Sequence, residues 1–499
     1  MASQNSWLLD NEVDIPEHVK HKRQIGLTSA IFFILNKIIG TGIFSLPSSV
    51  YKSTGSVGWS ILLWIFGGVA SYAGLNVYLE FGLEIPKSGG EKNYLERIYR
   101  RPKHLALSVF AIASLLMNTS AANSYTFGLY TLLAMGVDDP SPFHARIIAV
   151  VCISLVVFVH SVHPRIGRLL FNSLGMFKVG VLFVITFSGA AVWSGLIDLP
   201  DQPDNFKNAF QNDGFGGGSF NYAIAVLRIL YAYKGWDNCN AIMGEIKNPA
   251  RTMGLAGPLA IGLITILYTA CTLAYFVAVP KQQIANSGAI IAGKFFFIIF
   301  GKNAASRVLP LCVSLSNLGN VLVVSYAGGA VTHELGKHHF LPFSSAISSL
   351  SSFGTPMVAL GIYWFFTVAF LVLPPPGEVY EFIVDLQQYP YTLITCAVTG
   401  GLLYLQYNHV AENWGTKKDR YRSPLPLTLL FFITNIFLII MPWIPPPEPT
   451  GSAFPYYSTP LAGIVILALG PLYWLYWRRT RGALLLDEEI SRGEYLVID

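Results

Sequence analysis

The stretch Ile39-Gly40-Thr41-Gly42-Ile43-Phe44 interrupts the first long apolar run of this 499-residue chain, near 25–51. A helix inside a bilayer satisfies its own backbone groups, and glycines that break it are tolerated where the freed groups face protein or a cavity. The run near 219–245 is also interrupted, by the polar segment Tyr231-Ala232-Tyr233-Lys234-Gly235-Trp236-Asp237-Asn238. Two such breaks in corresponding positions of two repeats indicate a binding site near the bilayer midplane. With both breaks present, the alternative that the glycines only allow close helix packing is less favoured.

The composition around these breaks is that of a membrane protein. Only 12% of the residues are Asp, Glu, Lys or Arg and 53% are apolar, whereas soluble domains carry roughly 25% charged residues. The net charge of +5 comes from basic residues that lie between apolar runs rather than in a clustered stripe. This arrangement argues against a nucleic-acid partner and predicts the lipid bilayer as the surrounding medium.

The chain offers twelve apolar runs of the length that crosses a bilayer, which is roughly 20 residues for a core of about 30 Å. If all twelve are spans, two thirds of the 33 Lys and Arg residues lie on the side of the N-terminus. Because Lys and Arg favour the cytoplasmic side, we expect both termini in the cytoplasm. The runs are 25–51, 57–82, 104–135, 143–163, 167–194, 219–245, 254–279, 303–334, 355–374, 379–408, 425–444 and 458–477.

The two interrupted runs are the first and the sixth, which would be equivalent if helices one to five and six to ten are inverted repeats. The predicted organisation is a cytoplasmic N-terminal tail, two five-helix repeats, helices eleven and twelve, and a cytoplasmic C-terminal tail. The corresponding bounds are 1–24, 25–194, 195–409, 425–477 and 478–499.

No motif of an enzyme is present: HExxH, GxSxG, a P-loop and GxGxxG in a strand-to-helix context are all missing from the sequence. His160 and His163 flank the end of a predicted span and are interpreted as interface residues. All five cysteines lie in apolar runs without a CxxC pair, which predicts neither a structural disulfide nor a cysteine-metal site. We therefore expect a protein that is not an enzyme and needs no metal or cofactor.

The two breaks also indicate the kind of ligand. The N-terminus of a half-helix exposes free N–H groups and a partial positive charge, which suit a carboxylate. Carbonyl groups freed by the same breaks suit an ammonium group. An α-amino acid carries both groups close together, so a small zwitterion is the expected ligand.

The motifs resemble those of a known family. Ile39–Phe44 resembles the first-helix motif of the amino acid/polyamine/organocation (APC) transporters. Tyr231–Asn238, followed by Glu245–Pro249, resembles the sixth helix of their L-type amino acid transporter branch. Glu80–Gly82 and Pro86–Glu96 are most similar to fungal high-affinity methionine permeases. The resemblance implies an all-α fold of twelve transmembrane helices, a LeuT-type 5+5 inverted repeat with broken helices one and six.

The resemblance also implies a set of binding residues. N–H groups of Thr41, Gly42 and their neighbours would hold the α-carboxylate, and carbonyls of the first and sixth helices would receive the α-amino group. Trp236 would either wall the side-chain pocket or pack against helix ten. The expected substrate-binding residues are Ile38, Ile39, Gly40, Thr41, Gly42, Ile43, Tyr231, Ala232, Tyr233, Lys234 and Trp236.

Four basic residues lie inside predicted spans, where each costs about 2.5 to 3.5 kcal/mol on insertion scales. By resemblance, Lys178 replaces a sodium ion, ties helices one, five and eight together and makes transport independent of Na⁺. Lys234 occupies a position where many relatives have a small residue; pairing with Asp237 is the preferred hypothesis, and a loop-facing Lys234 is the alternative. Lys37 either lines the inner vestibule or reaches the headgroups. The fourth is Arg228.

Two further features leave alternatives open. The segment Ser88–Arg101 is an amphipathic interfacial helix that acts either as a plain connection or as part of a gate. Proton coupling rests on the fungal resemblance, and no single carrier is selected; carboxylates at cytoplasmic helix ends are more often solvated or salt-bridged. The candidate carriers are Glu80, Glu84, Asp237, Glu245, Glu334 and Asp385.

The sequence therefore predicts a secondary active transporter in the plasma membrane that imports a neutral amino acid together with protons. Methionine is the preferred substrate in this prediction. A permease or exchanger of another amino acid or of polyamines, and a sensor that binds without transporting, are the alternatives. Animal L-type relatives pair with a glycoprotein through a cysteine in the loop between helices three and four. The corresponding loop here, 136–144, contains no cysteine, so the resemblance implies no disulfide-linked heavy chain. By the fungal resemblance, Lys20 and Lys22 on the N-terminal tail are candidate acceptors for ubiquitin ligase machinery; the alternative is that they only set the topology.

Overall fold

The computed structural model describes residues 23–199, 203–287, 290–338, 341–374, 386, 388–415, 421–446 and 454–480. Almost all regular structure in these residues is helical. Eight helices are long and apolar enough to cross a membrane, and one bent pair brings the number to nine among the described residues. Each of the twelve predicted runs contains at least one helix, while the count of twelve spans stays a prediction. The predicted tails, including Lys20 and Lys22, and Asp385 lie outside the described residues.

Several helices begin with proline at the first or second position, where its missing N–H costs no hydrogen bond. The helices are α1 (Leu27–Ile38), α2 (Gly42–Thr54), α3 (Val57–Glu84), α4 (Glu91–Ile98), α5 (Leu105–Met117), α6 (Ala121–Met135), α7 (Pro142–Val162), α8 (Pro164–Trp193), α9 (Gly218–Ala232), α10 (Pro249–Ala278), α11 (Lys281–Ala285), α12 (Ile291–Phe300), α13 (Leu309–Gly336), α14 (Ser344–Ile347), α15 (Met357–Val372), α16 (Gln388–Tyr407), α17 (Leu425–Ile440) and α18 (Ser458–Thr480).

The first helix is broken where the sequence predicts. Helices α1 and α2 are bent by 46° relative to each other. Ile39 has an extended backbone, with φ −74° and ψ 99°, so the helical ladder stops there and starts again at Gly42. A β-carbon on Gly42 would lie 3.2 Å from Cβ of Ala232, which shows how closely α2 approaches the end of α9.

The sixth helix is broken as well. Helix α9 ends at Ala232, residues 233–237 form turns, and a 3₁₀ helix continues over Asn238–Glu245. Gly235 has φ +125° and an added β-carbon would lie 2.2 Å from Cγ of Lys37. Glycine is therefore required both for its backbone conformation and for the close approach of the two broken helices.

A third interruption was not predicted. The run 104–135 consists of two helices, because α5 ends at Met117 and α6 begins at Ala121. The residues between them, Asn118-Thr119-Ser120, are polar, and this is the sequence signal that could have identified the break. The interruption faces the same interior region as the other two.

Helix α4 is joined to the 3₁₀ helix that follows the break of the sixth run. The Gly89 N–H donates to the Ala241 carbonyl at 2.9 Å, and the Gly244 N–H donates to Ser88 Oγ at 3.1 Å. Tyr94, which is 1% exposed, donates its hydroxyl to Asn240 Oδ1 at 3.0 Å. The helix is thus part of the packed bundle and does more than connect two spans.

Backbone pairing ties the start of the first helix to the end of the sixth. The N–H groups of Gln24 and Ile25 donate to the Glu245 carbonyl at 2.8 and 3.0 Å, and the Lys247 N–H donates to the Ile25 carbonyl at 2.9 Å. Helix α1 and the 3₁₀ helix Asn238–Glu245, together with α4, therefore form one connected group of elements.

Two interpretations from the sequence were wrong. His160 is 2% exposed rather than interfacial, and its Nε2 lies 2.9 Å from the Leu322 carbonyl in the helix core. Glu80 is 3% exposed and accepts hydrogen bonds from Gln406 and Trp414 side chains at 2.6 and 2.8 Å. His160 lies in the last turn of its helix and Glu80 lies one turn before the end of its helix, so packing against a distant element decides the environment of each.

Candidate functional site

A cavity of about 250 Å³ lies at the breaks of the first, third and sixth helices. Most of the predicted binding residues line it, and the third-helix break and the first residue of α4 complete it. Its lining includes Lys37, Ile38, Gly40, Thr41, Gly42, Glu91, Phe110, Ala113, Met117, Asn118, Thr119, Asn123, Ala327, Val331, Tyr231, Ala232, Lys234, Asp237, Asn238, Asn320, Gln388, Tyr391 and Ile394.

The start of α2 presents free donors to this cavity. The N–H groups of Gly40, Thr41 and Gly42 donate to no acceptor within the described part of the chain. The first N–H groups of a helix have no intrahelical partner and carry the positive end of the helix dipole. A carboxylate at this point would meet both features.

The acceptors at the end of α1 are already engaged. The Ile39 carbonyl accepts from Lys178 Nζ at 2.7 Å and from Ser316 Oγ at 3.2 Å, and the Ile38 carbonyl accepts from the Tyr268 hydroxyl at 3.0 Å. On the other side, no described residue donates to the Ala232 carbonyl at the end of α9. An ammonium group therefore has a free carbonyl acceptor at the end of α9, whereas the carbonyls at the end of α1 already accept hydrogen bonds.

Lys178 joins three helices at the centre of the bundle. It is 1% exposed, and its Nζ donates to the Asn36 carbonyl at 2.8 Å as well as to that of Ile39. A β-carbon on Gly319 of α13 would lie 2.9 Å from Cε of Lys178. The ammonium group thus satisfies carbonyls that the break leaves without helical partners.

Lys234 does not pair with Asp237. Its Nζ donates to Gln388 Oε1 at 2.9 Å and lies 3.5 Å from the centroid of the Tyr391 ring. Oδ1 of Asp237 is buried without a hydrogen-bond partner among the described residues. The preferred pairing fails because residues 233–237 form turns, where the helical proximity of residues three apart does not apply.

Of the two hypotheses for Lys37, the structure favours the vestibule, because this lysine lines the cavity and packs against Gly235. Arg228, the remaining intramembrane cation, lies apart from the cavity. It donates to the Ser49 carbonyl and to Ser53 Oγ, both at 3.1 Å, and so fastens α9 to α2.

Four of the predicted residues do not line the cavity. Ile39, Ile43 and Tyr233 are fully buried in the packing around it. Trp236 contacts Tyr78 and Phe431, with ring centroids 4.9 and 5.4 Å apart. It lines a second cavity, of about 480 Å³, which is formed by α3, α9, α16 and α17.

Several cavity residues were not identified from the sequence. Asn118 and Asn123 come from the third-helix break, and Gln388 and Tyr391 come from the start of α16. Glu91 was assigned to an interfacial helix, yet it lines the cavity and accepts the Tyr78 hydroxyl at 3.1 Å. Only the Asn-Thr-Ser interruption carried a sequence signal; the others depend on long-range packing.

Comparison with known proteins agrees with this geometry. The amino acid permease family matches over residues 25–469. The high-affinity methionine permease of Saccharomyces cerevisiae is 33% identical over 91% of this chain and 79% of its own length. The low-affinity methionine permease of the same yeast is 28% identical over 92% and 83%. The b(0,+)-type amino acid transporter 1 of Mus musculus is 27% identical over 91% and 89%.

These relatives are transporters rather than enzymes, and the match extends from the first broken helix into the last helix of the bundle. The chain therefore belongs to the amino acid permease family, as a multi-pass membrane protein for amino acid transport.

Proposed function

We propose that this chain is a secondary active transporter that imports methionine across the plasma membrane by alternating access. The observation that carries the proposal is the cavity at the broken helices, which is lined both by Gly40, Thr41 and Gly42 with their free N–H groups and by Ala232 with its open carbonyl. These groups bind the α-carboxylate and the α-ammonium of one ligand. The binding energy is that of charge-assisted hydrogen bonds, about 1.5 to 3 kcal/mol each.

The choice of side chain rests on the apolar part of the cavity. Helices α5, α13 and α16 contribute hydrocarbon surface to the cavity through Phe110, Ala113, Met117, Val331 and Ile394. An unbranched thioether is apolar and flexible enough to follow such an irregular wall. The 33% identical relative named as a high-affinity methionine permease supports the same substrate.

Independence from Na⁺ follows from Lys178 in this proposal. Its ammonium group is held by the carbonyls of Asn36 and Ile39, so a fixed positive charge already occupies the position beside the first-helix break. A sodium ion would need the same carbonyl oxygens and would be repelled by this charge. Coupling to protons is a separate part of the proposal, and it is supported by the resemblance to fungal permeases rather than by Lys178.

A second candidate is exchange of a broader set of neutral amino acids. The 27% identical relative is named as a b(0,+)-type amino acid transporter. Exchange would use the same backbone groups but would need no proton. A sensor that binds methionine without moving it is a third alternative.

The proposal is tested by measuring uptake of labelled methionine in cells that express this chain and lack their own permeases. Unlabelled amino acids, removal of Na⁺ and a proton uncoupler are applied separately. The expected result is uptake that apolar unbranched amino acids inhibit, that persists without Na⁺ and that collapses with the uncoupler. Uptake that survives the uncoupler but needs internal amino acid would favour exchange, and binding without uptake would favour a sensor.

A further inference from the structure

Glu91 is the first residue of α4, outside the spans, yet it belongs to the central cavity. Two consecutive glycines precede it, Gly89 with φ +114° and Gly90 with φ +53°. An added β-carbon on Gly90 would lie 3.4 Å from the Ala241 backbone nitrogen. This close docking on the inner half of the sixth helix turns the beginning of α4 inward, and Glu91 then lines the cavity together with Asp237.

The charged groups around Glu91 come from every element packed against it. The Tyr78 hydroxyl of α3 donates to Glu91 Oε1 at 3.1 Å. Asp237 and Lys234 of the sixth-helix break act on it electrostatically, and Lys37 of α1 lines the same cavity. Tyr391 of α16 and Tyr94 of α4 itself also lie within electrostatic range.

The formal charges of this group cancel, with two lysines and two carboxylates around one cavity. Lys234 is held by Gln388 and Tyr391, however, and forms no ion pair with either carboxylate among the described residues. The negative charges of Glu91 and Asp237 therefore repel each other, and the two lysines neutralise this repulsion only in part. Like charges in one site favour uptake of a proton by one of them.

We propose that Glu91 is the proton-binding group that couples transport to the proton gradient, with Asp237 as the second carboxylate of the pair. The inference rests on the proton coupling proposed above and names its site. Glu91 takes a proton from water on the outer side when the cavity opens there and returns it to water on the inner side. Substrate moves with the protonated carboxyl, and no covalent bond other than O–H forms or breaks.

The pKa of Glu91 suits this role. Burial and the negative charge of Asp237 raise it from 4.5 to about 7, although the Tyr78 hydrogen bond and the charge of Lys234 lower it. A group with that pKa is protonated in an acidic medium and loses its proton as the pH rises through about 7. Uptake should therefore be high at low external pH and fall through the same range.

The position of α4 adds a mechanical link. Because Gly89, Ser88 and Tyr94 are bonded to the 3₁₀ half of the sixth helix, Glu91 moves with that half-helix when it moves. When Glu91 loses its proton, a second negative charge appears beside Asp237, where α4 contacts the 3₁₀ half of the sixth helix. Protonation and opening of the inner half are thus coupled through the same contacts.

The test uses the full-length chain in proteoliposomes with the membrane potential held at zero. One proton per substrate then limits methionine accumulation to about tenfold per pH unit. Glu91→Gln is expected to reduce proton-driven accumulation to about onefold, while exchange of labelled for unlabelled methionine continues and becomes independent of pH. Glu96→Gln is the matched control, because Glu96 lies on the same helix and pairs with Lys92 at 3.6 Å; it should accumulate methionine like the parent protein.

The outcomes separate this inference from the proposed function. If the parent protein does not accumulate methionine with a proton gradient, proton coupling itself is wrong and the inference falls with it. If the parent accumulates methionine and Glu91→Gln does so equally, only the assignment to Glu91 is overturned.

A second variant covers misfolding of Glu91→Gln, which would show as loss of methionine binding. Tyr78→Phe removes the hydrogen bond that stabilises the charged carboxylate, so the midpoint of the pH profile should move upward. A midpoint that stays in place would overturn the assignment independently of Glu91→Gln.

Discussion

Gly42 gives the sharpest steric test of the candidate site. An added β-carbon would lie 3.2 Å from Cβ and 3.4 Å from Cα of Ala232, so Gly42→Ala must push α2 and α9 apart by a few tenths of an ångström. Overpacking of this kind costs about 1 to 3 kcal/mol. Where this strain opposes substrate binding, the lower end of the range corresponds to roughly a fivefold rise in KM for methionine, since 1.4 kcal/mol is tenfold.

Gly42→Val adds two more carbons toward the same wall, one side of which is backbone. We expect transport to be abolished at a normal level of the protein in the membrane, since the opposed free N–H groups and the Ala232 carbonyl no longer keep their spacing. Uptake of labelled methionine over a range of concentrations, normalised to surface protein, is the assay.

Two controls tie the effect to this contact. Ala232→Gly removes the opposing β-carbon and should restore part of the KM of Gly42→Ala, which a double-mutant cycle would show as coupling between the two positions. Gly180→Ala in α8 meets no atom within 4 Å and should transport normally. Normal uptake by Gly42→Val would refute the assignment of the site.

Three further expectations follow from other contacts. Lys178→Met removes the donor to the Asn36 and Ile39 carbonyls, so uptake should be lost and thermal stability in detergent should fall. Na⁺ is not expected to rescue uptake. Normal uptake by this variant would contradict the role of Lys178 in holding the three helices together. Lys234→Ala removes a side chain that contacts Gln388 and Tyr391 and lines both cavities. Larger aromatic amino acids should then compete with labelled methionine for uptake. If the set of competing amino acids does not change, Lys234 does not limit the size of the substrate. Glu80→Ala removes the acceptor of two buried donors, the Trp414 indole N–H and the Ser423 backbone N–H, which should cost about 2 to 5 kcal/mol of stability. The pH profile of uptake should not change, and a shifted profile would make Glu80 a proton carrier.

The sequence predicted the breaks because their causes are local. Glycines at 40 and 42 and the polar residues from Tyr231 to Asn238 stop a helix wherever it lies, and the structure breaks both helices there. The central position of Lys178 was equally visible, since a lysine in the middle of an apolar run needs interior partners. Its contacts with α1 and α13 agree with that expectation.

Residues placed by long-range packing were the ones missed. Trp236 follows the break directly, but the turn at Gly235 sends it to the second cavity, against Tyr78 and Phe431. Glu91 enters the site only because α4 docks on residues some 150 positions later in the chain. Local sequence patterns cannot predict a contact between segments so far apart in the chain.

The central claim is that the broken helices recognise the two charged groups of an α-amino acid. Competition with labelled methionine by analogues that keep the thioether side chain and lack one group tests it most directly. Methionine methyl ester, without the carboxylate, and 4-(methylthio)butanoate, without the amine, should each compete at least about tenfold more weakly than methionine, since each lost charge-assisted bond is worth about 1.5 to 3 kcal/mol. Norleucine, which keeps both groups, should compete within a few-fold of methionine. If either truncated analogue competes as well as methionine, the broken helices do not form the binding site described here.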